Sequence, residues 1–480
     1  MNDARIEDRE EACPSLPPPL ASPPVPPAPP RRRRSFGTAL KLGAIAGLTL
    51  LLLVPLRMIG SVLDERQERR QEALTNITST WGEAQLVGGP VLIVPYKYRS
   101  KAWKEQQVNG RLERVESVET CTAQACFLPE RLQVGGQLAA EELHRGIYQA
   151  VVYRGDLTLT GAFAKPSFDE WKVVPEDVLW DEAVVTLAIT DLRGAKDALV
   201  LTLDGETYPL TPGSKLAEFP SGVHARVKKL AHDKDELAFE LKLALNGSGA
   251  LRFIPVGRQT RVQLTSPWRD PKFTGAFLPS QRSVTATGFT ADWEVSYYGR
   301  PYPQQWSTQE TASPFNSRAV TASLFGVELL TPVDGYRHIE RAIKYGVLFI
   351  ALVFTAFFLF EMLARVRVHP FQYTLIGAAL CLFYLVVLAL SEVTSFGLAY
   401  LAGAAASTGL IVAYSARVLG GYRRSLLIGG ELAAIYGCLY VILQLQDYAL
   451  LFGTAGLFLA LAIVMFVTRK IDWYARDEAR

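Results

Sequence analysis

Tyr345-Gly-Val-Leu-Phe-Ile-Ala-Leu-Val-Phe-Thr-Ala-Phe-Phe-Leu-Phe-Glu-Met-Leu363 decides the fold. These 19 residues carry one charged side chain, Glu361, close to the end. As a helix the run would rise about 28 Å, enough to cross the roughly 30 Å hydrocarbon core of a bilayer. Four more stretches of the same kind follow: Tyr373–Leu390, Phe396–Tyr414, Ser425–Leu443 and Ala449–Val467. Short loops separate them, which predicts a five-helix bundle over 341–468 followed by a short tail, 469–480.

Working outward toward the N-terminus, Leu42–Ile59 is another apolar run, preceded by Arg31-Arg32-Arg33-Arg34. No small-x-small cleavage site follows, so 37–60 is expected to be an uncleaved anchor rather than a removed signal peptide. Residues 1–36 are Pro-rich and lack the apolar side chains for a core. They are expected to be a disordered cytoplasmic spacer, with capture by a PxxP-binding partner as the alternative. Residues 61–85 alternate in charge and predict an exposed helical stalk. Segments expected inside hold Arg31–Arg34 with Lys41, then Arg365 and Arg367, then Arg417, Arg423 and Arg424, then Arg469, Lys470, Arg476 and Arg480. The short outer loops Ser391–Ser395 and Gln444–Tyr448 hold only Glu392 and Asp447. The bias of basic residues predicts both termini in the cytoplasm and residues 61–340 in the periplasm. Arg57, Arg66, Arg69 and Arg70 run against that bias, but they lead into a long translocated segment where charge counts for less.

Between anchor and bundle the period changes to two. Leu237-Ala-Phe239-Glu-Leu241-Lys-Leu243-Ala-Leu245 alternates and runs into Asn246-Gly247, a hairpin signal; Leu199-Val-Leu201-Thr-Leu203 runs into Asp204-Gly205, another. Leu157–Thr160, Val184–Ile189 and Val262–Leu264 add further strands. One buried and one wet face imply antiparallel β-sandwich-like layers, and the strands are too charged on both faces for a membrane barrel. The expected fold is membrane α-helical, six spans as one plus five, with a large extracytoplasmic antiparallel β-rich domain over 86–340.

Composition averages these parts away: 49% hydrophobic, 20% charged, mean hydropathy +0.14 and net charge +3. That charge, with no basic–aromatic cluster, gives no reason to expect nucleic acid. There is no G-x-S-x-G, H-E-x-x-H, Walker loop or paired C-x-x-C, so no enzyme and no cofactor are expected. Gly247-Ser248-Gly249 lacks nucleophile-elbow spacing. His232-Asp233-Lys234-Asp235 reads as a solvated loop sooner than a metal site. Cys121 and Cys126 are spaced to close a small disulfide loop, with two free thiols as the alternative. Glu431 is the one carboxylate well inside a C-terminal span, a possible intramembrane polar site or a partner for Arg423 or Arg424. Gly403-x-x-x-Ser407 and Ala405-x-x-x-Gly409 allow close helix approach.

Several segments, in order from about residue 40 to 475, resemble the CreD family of bacterial inner-membrane proteins. They are Asp191–Gly194, Leu245–Gly249, Phe273–Pro279, Ala342–Glu361, His369–Tyr373, Leu390-Ser-Glu392, Asp447–Gly453 and Arg469–Ala475. The Pro-rich tail is extra, and Val393 stands where the family pattern leads one to expect a histidine. The resemblance implies a role in cell-envelope integrity or stress response, and brings no catalytic residues with it. The expected partners are the lipid bilayer and an unidentified envelope protein or wall component bound by the external domain. A transporter or lipid carrier using the bundle is the alternative function.

Overall fold

The computed structural model describes residues 36–108, 111–194, 198–228, 230, 234–309, 313–330, 335–364, 368–418, 421–445 and 448–469. The Pro-rich tail with Arg31–Arg34, the Arg365/Arg367 pair, His232-Asp233, Asp447 and everything after Arg469 lie outside them.

Helices α1 (Phe36–Leu51) and α2 (Leu53–Trp81) carry the chain across the first apolar run and onward into the stalk. The break at Leu52 is explained by Pro55, which has no N–H to give the carbonyl of Leu51 and crowds it. The lower part of α2 buries Leu56, Ile59 and Leu63 against the bundle; the upper part is the charged stalk. The domain then runs through β1 (Gln85–Val108), β2 (Arg111–Phe127), β3 (Arg131–Arg145), β4 (Tyr148–Ala164), β5 (Ala183–Ile189) and β6 (Val200–Leu203). Next come β7 (Glu206–Pro209), β8 (Thr211–Pro212), β9 (Gly222–Val227), β10 (Glu236–Ser248), β11 (Ala250–Ile254) and β12 (Gln259–Ser266). It closes with β13 (Pro271–Gly275), β14 (Gln281–Thr285), β15 (Gly288–Ser296), β16 (Gln305–Ser307), the short α3 (Ser317–Thr321) and β17 (Phe325–Leu329). The bundle is α4 (Gly335–Ala364), α5 (Pro370–Ser391), α6 (Phe396–Val418), α7 (Tyr422–Gln444) and α8 (Ala449–Thr468). Among the described residues six spans are thus long and apolar enough to cross a membrane, one before the domain, formed by α1 with α2, and five after it.

Two sheets share one core. One is ordered β13-β17-β11-β1-β5-β9-β8, with β2 on β1 and β16 on β2; the other is β14-β15-β12-β3-β4-β10-β6-β7. Inward residues of both, such as Val94, Val185 and Phe253 from the first and Leu159, Leu241 and Leu264 from the second, belong to a single buried cluster. Alternation predicted from the sequence is seen directly: β12 is exposed and buried by turns along its whole length, and β10 along most of it. The expectation of antiparallel pairing needs amendment at two places, since β1–β11 and β3–β12 pair in parallel. Parallel neighbours require long connections, which whole hairpins supply here.

The two turn dipeptides part ways. Asp204 and Gly205 both have positive φ, 52° and 86°, and join β6 to β7 as a two-residue turn with Leu203 opposite Glu206, the type I′ geometry. Asn246-Gly247 is not a turn: β10 continues through both, pairing them with Arg154 and Tyr153 of β4. A Cβ on Gly247 would lie 2.4 Å from the Tyr153 ring, so this glycine serves close packing. The chain changes sheets instead at Gly249, φ +65°, where β11 begins.

Candidate functional site: a polar sheet face tied to the membrane helices

The eight-stranded sheet buries its leucines and turns the alternate positions outward. Gln133, Thr158, Thr160, Lys242, Arg261 and Gln263 therefore stand on one face, mostly threonine, glutamine and charge. Two open grooves cross it, of about 580 Å³ over β4, β10 and β6 and about 650 Å³ over β3, β12 and β15, and Thr158 lines both. Ion pairs on it are solvent-exposed, among them Lys242 to Glu240 at 3.4 Å along β10 and Arg261 to Glu294 at 3.1 Å between strands. Such pairs contribute little to stability, leaving the face free to present charge and hydroxyls to a polar ligand.

Polar contacts tie the domain to the top of α2, α2 to the bundle, and the far ends of α1, α4 and α5 to one another. The first set is at the top of α2. Buried Asp191 takes both Arg193 Nε contacts (3.0 and 2.9 Å) and the Glu83 N–H (3.1 Å), while Arg193 Nη1 donates to the Ser79 carbonyl in the last turn of α2. Burial pushes the Asp191 carboxyl up, but the Arg193 and Glu83 hydrogen bonds outweigh it and hold the group below its ordinary value. Gln85 Nε2 donates to the carbonyls of Asp191 (3.0 Å) and Asn246 (2.7 Å), and Trp81 Nε1 donates to the Tyr153 carbonyl. The Asp191–Gly194 and Leu245–Gly249 segments quoted from the sequence meet here: a Cβ on Gly194 would lie 2.1 Å from the Asn246 nitrogen.

The second set is at the end of the bundle nearest the domain. Arg66 of α2 pairs with Glu392, just after α5, at 3.5 Å. Tyr336 at the start of α4 donates to the same carboxylate at 3.4 Å, and Arg70 lies over the Tyr336 ring. The third set is at the far end. Lys41 of α1 pairs with Glu361 of α4 and donates to the Val368 carbonyl at 2.8 Å; Tyr373 of α5 donates to Glu361 at 3.0 Å. Between these ends the bundle buries hydroxyls: Tyr400 donates to the Tyr436 carbonyl at 2.7 Å, and Ser407 lies 3.0 Å from the Tyr436 hydroxyl.

The residues singled out from the sequence are placed as follows. Cys121 and Cys126 are both free thiols, which corrects the disulfide expectation. They sit five positions apart in one uninterrupted ladder, opposite Tyr98 and Ile93, so they point to opposite faces roughly 17 Å apart. Burial pushes the Cys126 thiol up to about 12, so it stays protonated at neutral pH. Glu431 is exposed on α7 beside buried Ile428 and Leu432, away from the bundle interior, and pairs with neither Arg423 nor Arg424. Of the small-residue motifs, Gly403 and Ser407 do pack against α5: a Cβ on Gly403 would meet Val387 at 2.9 Å, and Ser407 bonds the Ala379 carbonyl. Ala405 and Gly409 face outward. Of the candidate metal loop, Lys234 pairs with Asp204, and among the described residues no His/Cys/Asp/Glu cluster could hold a metal ion. Sequence reasoning missed the Lys41–Glu361 pair and the Asp191–Arg193 junction. Both charges of the former were visible at span ends, which was the only signal.

The family model for "Inner membrane protein CreD" matches residues 37–474. The chain is also 34% identical to the inner membrane protein CreD of Escherichia coli (strain K12) over 435 residues, 91% of this chain and 93% of that protein. That extent takes in the anchor, the β-domain and the whole bundle in one continuous correspondence: the chain belongs to the CreD family of multi-pass inner-membrane proteins.

Proposed function

We propose that this CreD-family protein supports cell-envelope integrity without catalysis, using the outward face of its eight-stranded sheet to bind an envelope protein or wall component. The β-domain stands in the periplasm and both termini in the cytoplasm. The observation that carries the reading is the grooved face of Thr158, Thr160, Gln133 and the flanking Lys242 and Arg261, exposed on a domain tied to α2, which is itself tied to the bundle. A wall polymer or a polar protein surface offers hydroxyls, amides and charges, which this face can meet with hydrogen bonds in kind. A rigid mount would keep the face at a set height above the bilayer.

The test is complementation in a bacterium deleted for its own family member and challenged with detergent. Lys242→Glu combined with Arg261→Glu replaces the one basic side chain lining each groove with an acidic one while leaving the core alone. The doubly substituted chain should be made and inserted normally yet fail to restore detergent tolerance; full rescue would contradict the proposal. A carrier using the bundle is the alternative, suggested by the place of Glu431 in an apolar run, although its side chain faces away from the bundle interior. For that reading Glu431→Gln should abolish rescue, whereas a binding protein should tolerate it.

A further inference from the structure

β3 and β4 form a hairpin closed by Gly146 and Ile147, with Arg145 opposite Tyr148. Gly146 takes φ +62°, as a tight two-residue turn needs. This hairpin runs down the stalk. Near its middle the Tyr153 carbonyl receives the Trp81 indole at the top of α2, and near its tip the Tyr148 hydroxyl reaches the Arg66 carbonyl at 3.5 Å. Fifteen residues of α2 separate Trp81 from Arg66, so the tip descends roughly 22 Å toward the membrane.

The depth it reaches can be placed. Lys41, paired with Glu361, marks the far edge of the spans. Arg66 lies 25 residues later, roughly 38 Å along the helix. A hydrocarbon core of about 30 Å measured from Lys41 ends some five residues before Arg66, so Arg66 and the hairpin tip fall in the headgroup layer. The Arg66–Glu392 pair agrees, because Glu392 directly follows the last turn of a spanning helix.

At that depth the tip carries an apolar side chain that protein covers only in half: Ile147 is 49% exposed. Its neighbours His144 and Arg145 are exposed, and the Arg145 guanidinium makes no hydrogen bond or ion pair with the described residues. An apolar side chain beside a guanidinium suits the boundary between acyl chains and lipid phosphates. Arg57, against the expected charge bias, is likewise exposed on α2, nine residues below Arg66, where its long stem can lift the charge to the same layer.

We propose that the β3–β4 tip is a lipid-binding foot of the β-domain: Ile147 enters the bilayer at the headgroup–acyl boundary and Arg145 engages phospholipid phosphate. The proposal requires only that the six helices span the membrane, and is independent of what the sheet face binds. To test it, the full chain with Cys13, Cys121 and Cys438 replaced by serine is given Ile147→Cys, spin-labelled, and placed in phosphatidylethanolamine–phosphatidylglycerol nanodiscs. Collision with oxygen, which concentrates in lipid, is compared with collision with a water-soluble nickel chelate. Val118→Cys on the exposed β1–β2 arm is the water reference and Leu459→Cys on α8 the lipid reference. The oxygen-to-nickel ratio at position 147 should exceed that at 118 severalfold and approach that at 459. A ratio equal to that at 118 overturns the proposal. Should the label unseat the hairpin, Ile147→Trp with bromine on the lipid chains reads the same depth. Its added fluorescence is quenched if the foot is in lipid, and quenching no greater than for the unsubstituted chain overturns the proposal.

Discussion

Asp191 is a short polar residue two positions past the end of the central strand β5, and nothing in its spacing announces a structural hub. Its carboxylate accepts from Arg193 and Glu83 while its own backbone meets Gln85 of the first sheet; Arg193 carries the link on to Ser79 of the stalk and Gln85 to Asn246 of the second sheet. Replacing it with alanine leaves the Glu83 N–H without its acceptor. The expected cost is about 2 kcal/mol, seen as roughly 4–8 °C off the melting of the β-domain's near-UV signal for a domain of this size. The pH dependence has a definite sign. Because the folded carboxyl lies below its ordinary value, its contribution is complete above about pH 4 and is lost as pH falls through the folded value. The gap between wild-type and Asp191→Ala melting should therefore persist from neutrality into mild acid and shrink only below about pH 4. A gap that closed between pH 8 and 6 would assign the effect elsewhere. Glu431 gives the opposite lesson: its place in an apolar run was plain from the sequence, but the face of the helix it occupies was set by packing of α7, which periodicity alone did not resolve.

Among elements, those that carry their own period were legible. β10 and β12 alternate because one face meets the core, and the Asp204-Gly205 turn formed because both residues tolerate positive φ. Asn246-Gly247 misled because its partner strand, β4, continues past it and the Tyr153 ring needs the space a glycine leaves. The cysteines misled for the same reason: β2 stays paired to β1 throughout, so no loop brings them together. The bond between α1, α4 and α5 was illegible because Lys41 and Glu361 are 320 residues apart and no spacing rule connects them. Both side chains are largely shielded, at 22% and 11% exposure. Lys41→Met should cost on the order of 2 kcal/mol, below the usual cost of breaking a buried pair because Lys41 keeps some contact with solvent. Adding Glu361→Gln should recover most of that loss by removing the stranded charge. Unfolding midpoints in mild detergent measure the cycle, and strictly additive losses would mean the two groups do not interact.

At the scale of the whole molecule, the division into anchor, β-domain and bundle was readable because a bilayer demands long apolar runs and a sandwich demands alternation. What could not be read is how the parts are joined. The domain is fastened to α2, α2 is tied to the bundle through Arg66, Tyr336 and Glu392, and α1, α4 and α5 are tied together at the far end. These contacts make the spans and the domain one structure, so the account stands or falls on which side of the membrane each segment lies. The measurement that decides this is a set of reporter fusions after Ser35, Gly299, Glu392, Arg417, Asp447 and Arg480, read in the intact chain. The account predicts cytoplasmic, periplasmic, periplasmic, cytoplasmic, periplasmic and cytoplasmic signals in that order. A periplasmic signal at Arg417, or a mature protein beginning near residue 60, would contradict it.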